Sequence, residues 1–107
     1  MRKIYRQGDI IIKQIEELPQ NLKVVSRENQ FILAEGEQTG HRHTLVAKPK
    51  TMEILQDENG RYYLKFSNAV ELIHPEHKAI TISGGIYEVG NEREYDYFLE
   101  ETRRVQD

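Results

Sequence analysis

The chain contains no cysteine, and that absence removes disulfides, zinc–thiolate centres and thiol catalysis from consideration. Long apolar runs are missing too: none approaches the ~20 residues that span a bilayer. The basic start, Met1-Arg2-Lys3-Ile4-Tyr5-Arg6, is not followed by the apolar stretch of a signal peptide. A cytoplasmic protein without membrane contact is therefore expected. Surplus positive charge is lacking as well. At a net charge of −3, a grip on long duplex nucleic acid is not expected, because counterion release needs a clustered basic face. No segment keeps a 3.6-residue apolar period over three turns, which argues against a helical or α/β fold. Nor is there a P-loop, a dinucleotide fingerprint or a paired-carboxylate pattern.

What is present is a series of short β-like runs separated by turn signals. They are Asp9–Ile15, Gln30–Ala34, His43–Ala47, Thr51–Gln56, Arg61–Phe66, Ala69–Ile73, Ala79–Ile82 and Ile86–Val89, with Glu94–Phe98 as a possible last member. Asp57-Glu58-Asn59-Gly60 marks the clearest hairpin, and Ser83-Gly84-Gly85 a second tight turn. Roughly eight strands spaced about ten residues apart predict an all-β fold, a small closed or partly open barrel. Leu99–Val105 is expected to form a short C-terminal helical turn or a tail. The length of 107 residues suits one domain over 1–107. Of the six tyrosines, most are expected to pack in the core or along strand faces, leaving one or two to stack on a nucleobase.

All four histidines fall into two short clusters, His41-x-His43 and His74-Pro75-Glu76-His77. On a strand, residues i and i+2 face one side, so His41 and His43 are expected to point together and Arg42 away. Pro75 fixes its own φ and biases His74 to an extended shape, which reads as a turn between strands. Charge is distributed unevenly around these clusters. Gln38 to Met52 holds no acid but carries Arg42, Lys48 and Lys50, whereas seven acids lie from Glu88 onward. Local positive potential beside histidines suits a small anionic ligand.

Two chemistries fit. His41, His43, His74 and His77 form a candidate metal site for Zn²⁺, Fe²⁺ or Mn²⁺, with Glu37 or Glu76 able to complete the set. The other is metal-free acid–base catalysis, for which the imidazole pKa is suited. Cleaving an RNA-like phosphodiester needs a base for the 2′-hydroxyl, an acid for the leaving oxygen, and a cation for the phosphoryl charge. His41, His43 and His77, with His74 as a further candidate, supply the proton carriers. Arg42, Lys78, Lys48 and Lys50 supply the cations, and Glu37 is a candidate to orient a histidine or contact the substrate.

Arg6-Gln7-Gly8-Asp9-Ile10, Ala34-Glu35-Gly36-Glu37-x-Thr39-Gly40-His41-x-His43, His74-x-Glu76-His77, Ile86-Tyr87-x-Val89, Arg93-Glu94-Tyr95 and Arg103-Arg104-Val105-x-Asp107 span nearly the whole chain. Together they resemble the small β-barrel ring nucleases of type III CRISPR defence and their phage relatives. That resemblance implies a homodimeric barrel that cleaves cyclic oligoadenylates without a metal, through its histidines and nearby basic residues. The chain is also similar, more weakly, to the metal-binding cupins through His-x-His on a β scaffold. Cupins place a glutamate a few residues downstream, and here the next acid after His43 is Glu53. The expectation is a metal-independent phosphodiesterase for a small cyclic or linear nucleotide. A metal-dependent cupin-like enzyme and a nucleotide-sequestering binder are the alternatives.

Overall fold

The computed structural model describes residues 2–35 and 42–91. Ten strands occur among them, in the order β1 (Ile4–Gln7), β2 (Ile10–Gln14), β3 (Lys23–Ser26), β4 (Gln30–Glu35), β5 (Arg42–Val46), β6 (Met52–Gln56), β7 (Tyr62–Phe66), β8 (Val70–His74), β9 (His77–Ile82) and β10 (Gly85–Asn91). The described residues include no helix long and apolar enough to cross a membrane. Every pairing is antiparallel. One sheet runs β1-β2-β10-β7-β6-β3 and the other β4-β5-β8-β9, so the all-β expectation holds in its partly open form.

The core lies between the sheets and follows from alternation. In β6 and β7, Met52 and Ile54 face Leu64 and Phe66, all buried. In β8, Val70 and Leu72 point inward while Glu71 and Ile73 are exposed. A period of two is what one buried face demands. In β2, four consecutive residues, Ile10 to Lys13, are buried. This strand sits between β1 and β10 and has no wet side, so its run reads as continuous rather than alternating.

Turn chemistry sets the connections. Asp57 Oδ1 accepts from the Asn59 and Arg61 amides, and Gly60 takes φ of 87°, closing the β6–β7 hairpin where Asn-Gly marks it. Ser83-Gly84-Gly85 is tight but does not close a hairpin. It carries the chain from β9 in one sheet to β10 in the other.

The two sheets meet without a ladder along β1 and β9, which lie against each other. Side chains bridge them. Ser83 Oγ lies 3.0 Å from Lys3 Nζ and 3.2 Å from the hydroxyls of both Tyr5 and Tyr87. Gln7 supplies the rest of the bridge.

β1 and β3 were not expected from the sequence. β3 is a four-residue edge strand with Val24 and Val25 exposed, and β1 mixes charge with apolar residues. Glu94–Phe98 and Leu99–Val105 lie outside the described residues.

Candidate functional site

Three local features converge at one end of the β1–β9 seam. The first is the β1–β2 hairpin, whose two-residue loop is Gly8-Asp9, with Gly8 at φ of 59°. The second is the β8–β9 hairpin, where His74 pairs with His77 across Pro75-Glu76, as the proline-marked turn predicts. The third is the start of β5. There the first inward position, ahead of the buried Leu45, is occupied by His43, which is 4% exposed. Alternation calls for an apolar residue at that point, so the histidine there needs polar partners of its own.

Both flanking ladders are irregular here. The β4–β5 register shifts between Ile32 and Ala34, and the β8–β9 register between Leu72 and His74. Bulges beside a site re-aim side chains and free backbone groups from the ladder. Gln7, 3% exposed, takes up two such groups: its Nε2 donates to Leu72 O at 2.9 Å and Lys78 O at 3.0 Å. With both amide protons committed, its Oε1 is an acceptor, and it faces His43 Nδ1 at 2.9 Å. The network therefore assigns the proton of neutral His43 to Nδ1 and the lone pair to Nε2. That Nε2 lies 3.6 Å from Asp9 Oδ1, too far for a direct hydrogen bond but close enough for an attraction once the ring is protonated.

His74 is assigned the opposite tautomer. Its Nδ1 accepts the Glu76 amide at 3.0 Å, which places the proton of the neutral ring on Nε2. The ring centroids of His43 and His74 are 4.4 Å apart, those of His74 and His77 4.6 Å, and those of His43 and His77 6.1 Å. Burial, followed by the neighbouring His74, lowers the His43 pKa from its ordinary value, with His77 adding to the lowering; Asp9 opposes the shift. Gly8 makes the crowding possible, because a Cβ there would sit 2.9 Å from His77 Nε2 and 3.2 Å from His43 Cε1.

The structure brings together His43, His74 and His77. Arg42 stands beside them, exposed on the opposite face of β5, where it lines a cavity of about 400 Å³ with Thr44, Ile73, His74 and Pro75. Lys78 adjoins His77 and holds Gln7 through its carbonyl, while its side chain is exposed. Lys48 and Lys50 are not brought to the histidines. β5 carries the chain away from His43, and Lys48 follows five residues later, roughly 16 Å along an extended chain. Lys50 instead lines a separate cavity of about 300 Å³ that includes Arg27, Glu53 and Lys65. His41 and Glu37 lie outside the described residues.

Gln7, Gly8 and Asp9 belong to the site and were not singled out chemically in the sequence. Their signal was the Gly-Asp turn within the Arg6–Ile10 run, which marks a loop without indicating what it meets. Among the described residues, no group of three or more histidine, aspartate or glutamate side chains is arranged to hold a metal ion. His74 explains part of this: its Nδ1 is taken by a backbone amide, which puts the proton of the neutral ring on Nε2.

Fold and site together define a small all-β protein with a histidine cluster at the seam of two sheets. The family described as a domain of unknown function, DUF8820, matches residues 6–92, and the chain belongs to it. No curated protein and no solved structure matches the chain.

Proposed function

We propose that the histidine cluster is the acid–base centre of a metal-independent phosphodiesterase acting on a small RNA-like nucleotide, in the manner of a ring nuclease. The observation that carries this reading is the pair of opposite tautomers. His43 presents a lone pair at Nε2 and His74 a proton at Nε2, on rings 4.4 Å apart. A base and a donor side by side are what attack by a 2′-hydroxyl requires.

In this mechanism His43 Nε2 takes the 2′-hydroxyl proton. Its lowered pKa keeps it neutral, and therefore competent as a base, at pH 7. Asp9 steadies the imidazolium that results. The 2′-oxygen attacks phosphorus, and His74 Nε2–H donates to a phosphoryl oxygen as charge builds there. His77, at the exposed end of the cluster, is the general acid that gives a proton to the leaving 5′-oxygen. The products are a 2′,3′-cyclic phosphate and a free 5′-hydroxyl. Arg42, which lines a cavity with His74, and Lys78, next to His77 in the chain, are the cations assigned to hold phosphate. A two-fold homodimer would offer equivalent groups to both halves of a cyclic oligoadenylate.

A second reading has one observation in its favour. Gln7 orients His43 through Nδ1 and leaves Nε2 toward the Asp9 carboxylate, the outer-sphere arrangement that metal-bound histidines use. On that reading His43 and Asp9 would help hold Zn²⁺, Fe²⁺ or Mn²⁺, and the protein would be a metal-binding module.

One experiment separates the readings. Metal-stripped protein is incubated with labelled cyclic oligoadenylates and the products are resolved. Cleavage that survives chelator and ends in 2′,3′-cyclic phosphate is expected, with His43→Ala and His77→Ala each reducing the rate by about 10²-fold or more. Activity restored only by added metal would favour the second reading. Intact nucleotide recovered from a tight complex would make the protein a sequestering binder. Full activity in both variants would overturn the assignment of roles.

A further inference from the structure

The outer face of the four-stranded sheet carries exposed apolar residues, as the β1 and β3 edges of the other sheet also do. A sheet with one face in the core turns polar residues outward on the other. Arg42, on β5, and Glu71, on β8, follow this pattern. Ile32 and Ile73 do not, at 41% and 39% exposed. The register puts these two on one line, since Ile32 pairs with Thr44 and Thr44 with Ile73. Three adjacent strands thus present an isoleucine, a threonine and an isoleucine side by side, spanning about 10 Å at ordinary strand spacing. At one end of this row lies the cavity of about 400 Å³ bounded by Arg42, Thr44, Ile73, His74 and Pro75. That volume falls within the range of small-ligand sites.

His74 belongs to two environments. Its ring sits 4.4 Å from His43 and 4.6 Å from His77, and it also walls the cavity. A ligand in the cavity therefore has one end at the acid–base cluster. The character of the wall narrows what that ligand is. Ile73 and Pro75 give an apolar surface for a flat ring. Arg42 brings a planar guanidinium that stacks on π-systems and attracts phosphate. The Thr44 hydroxyl and the His74 ring offer hydrogen bonds at the edge. An inorganic anion would meet one cation and leave the apolar wall wet, and an alkyl chain would have no use for the polar rim.

We propose that this cavity is a nucleobase subsite, seating the base of the nucleotide whose phosphodiester lies at the histidines. The inference rests on the nucleotide reading of the cluster and names how the substrate is held. Stacking supplies affinity, and the shared His74 wall sets the distance from base to reacting phosphate.

Adenosine is the probe, because it carries a base and no phosphodiester, so binding is read without turnover. Titrated into the ¹⁵N-labelled chain, it is expected to shift the amides of Thr44 and Ile73. Ile73→Asp, a change at an exposed position, is expected to weaken binding about tenfold or more. Arg42→Ala, also at the surface, is the second variant should the first fail to give a native spectrum, and it too is expected to weaken adenosine. Inorganic phosphate in a parallel titration is expected to leave the Ile73 amide unmoved. No shift at Thr44 and Ile73 with millimolar adenosine, or unchanged affinity in a natively folded variant, would overturn the subsite. The two proposals fail in different ways. A chain that binds adenosine here but cleaves no nucleotide keeps the subsite and loses the phosphodiesterase. A chain whose Ile73→Asp form cleaves with unchanged KM keeps the phosphodiesterase and loses the subsite.

Discussion

Gln7 illustrates how much a single buried amide can determine. Its two protons satisfy carbonyls on β8 and β9, and its oxygen decides which nitrogen of His43 carries hydrogen. Gln7→Leu fills similar space but strands two carbonyls and an imidazole N–H. Leaving buried polar groups unmade costs about 1–3 kcal/mol each, less where water reaches them. The expected loss is about 2–4 kcal/mol in urea unfolding, and the ¹⁵N signature of His43 should change from the Nδ1–H tautomer to a mixture. An unaltered His43 spectrum would show that something other than Gln7 sets the tautomer. His43 also makes a pH prediction. Its folded pKa lies below its ordinary value, first because it is buried and then because of His74. Above the unfolded value, about 6.5, the ring is neutral in both states and its contribution is fully present. As pH falls from there through the depressed folded pKa, the unfolded chain binds the proton first and stability is lost. The urea midpoint is expected to drop over that window, and the drop to shrink in His43→Asn.

At the scale of elements, the glycines of two hairpins give a contrast. Gly8 and Gly60 both adopt positive φ, at 59° and 87°. A Cβ at Gly60 meets nothing nearer than Gln56 Nε2 at 3.8 Å, whereas one at Gly8 meets His77 and His43. Alanine is expected to cost each hairpin about 1 kcal/mol of backbone strain. Gly60→Ala should lower the melting temperature and leave nucleotide cleavage intact, and Gly8→Ala should impair both. Equal effects on activity would mean that Gly8 serves only its turn.

The elements also explain what the sequence could reveal. Eight strands were legible because β-branched runs ended at Pro, Gly and Asn, and the hairpin at Asn59-Gly60 was legible from its turn residues alone. β3 was hidden because Val24 and Val25 are both exposed on an edge, so neither alternation nor a buried run marks it. The His74–His77 turn could be read from Pro75, a local signal. That Lys48 and Lys50 lie far from His43 depends on the direction of β5, which charge composition does not encode. That Gln7 meets His43 depends on two strands being brought together from 36 positions apart, and a glutamine carries no mark of such a partner.

Over the whole molecule, the open seam between the sheets is held by side chains rather than by a ladder. Ser83 is its hub, within reach of Lys3 Nζ and of the Tyr5 and Tyr87 hydroxyls. Ser83→Ala removes that hydroxyl and is expected to cost about 1–2 kcal/mol. The loss should be local in character. Amides of β1 should exchange faster with solvent while those of β6 and β7, inside one sheet, keep their protection. Uniform acceleration across both sheets would mean that the seam is not an independent unit of opening.

The order in which the ribosome makes this chain adds a consequence. β2 finds its inner neighbour only in β10, so Ile12, already paired with Tyr5, waits for Val89 to be synthesised before its other edge is paired. Until then the hairpin that carries Gln7, Gly8 and Asp9 lacks the ladder to β10 and meets the rest of the fold only through the seam with β8 and β9. A chain halted before β10 should therefore have its strands and seam contacts but lack the strand that ties the N-terminal hairpin to β7.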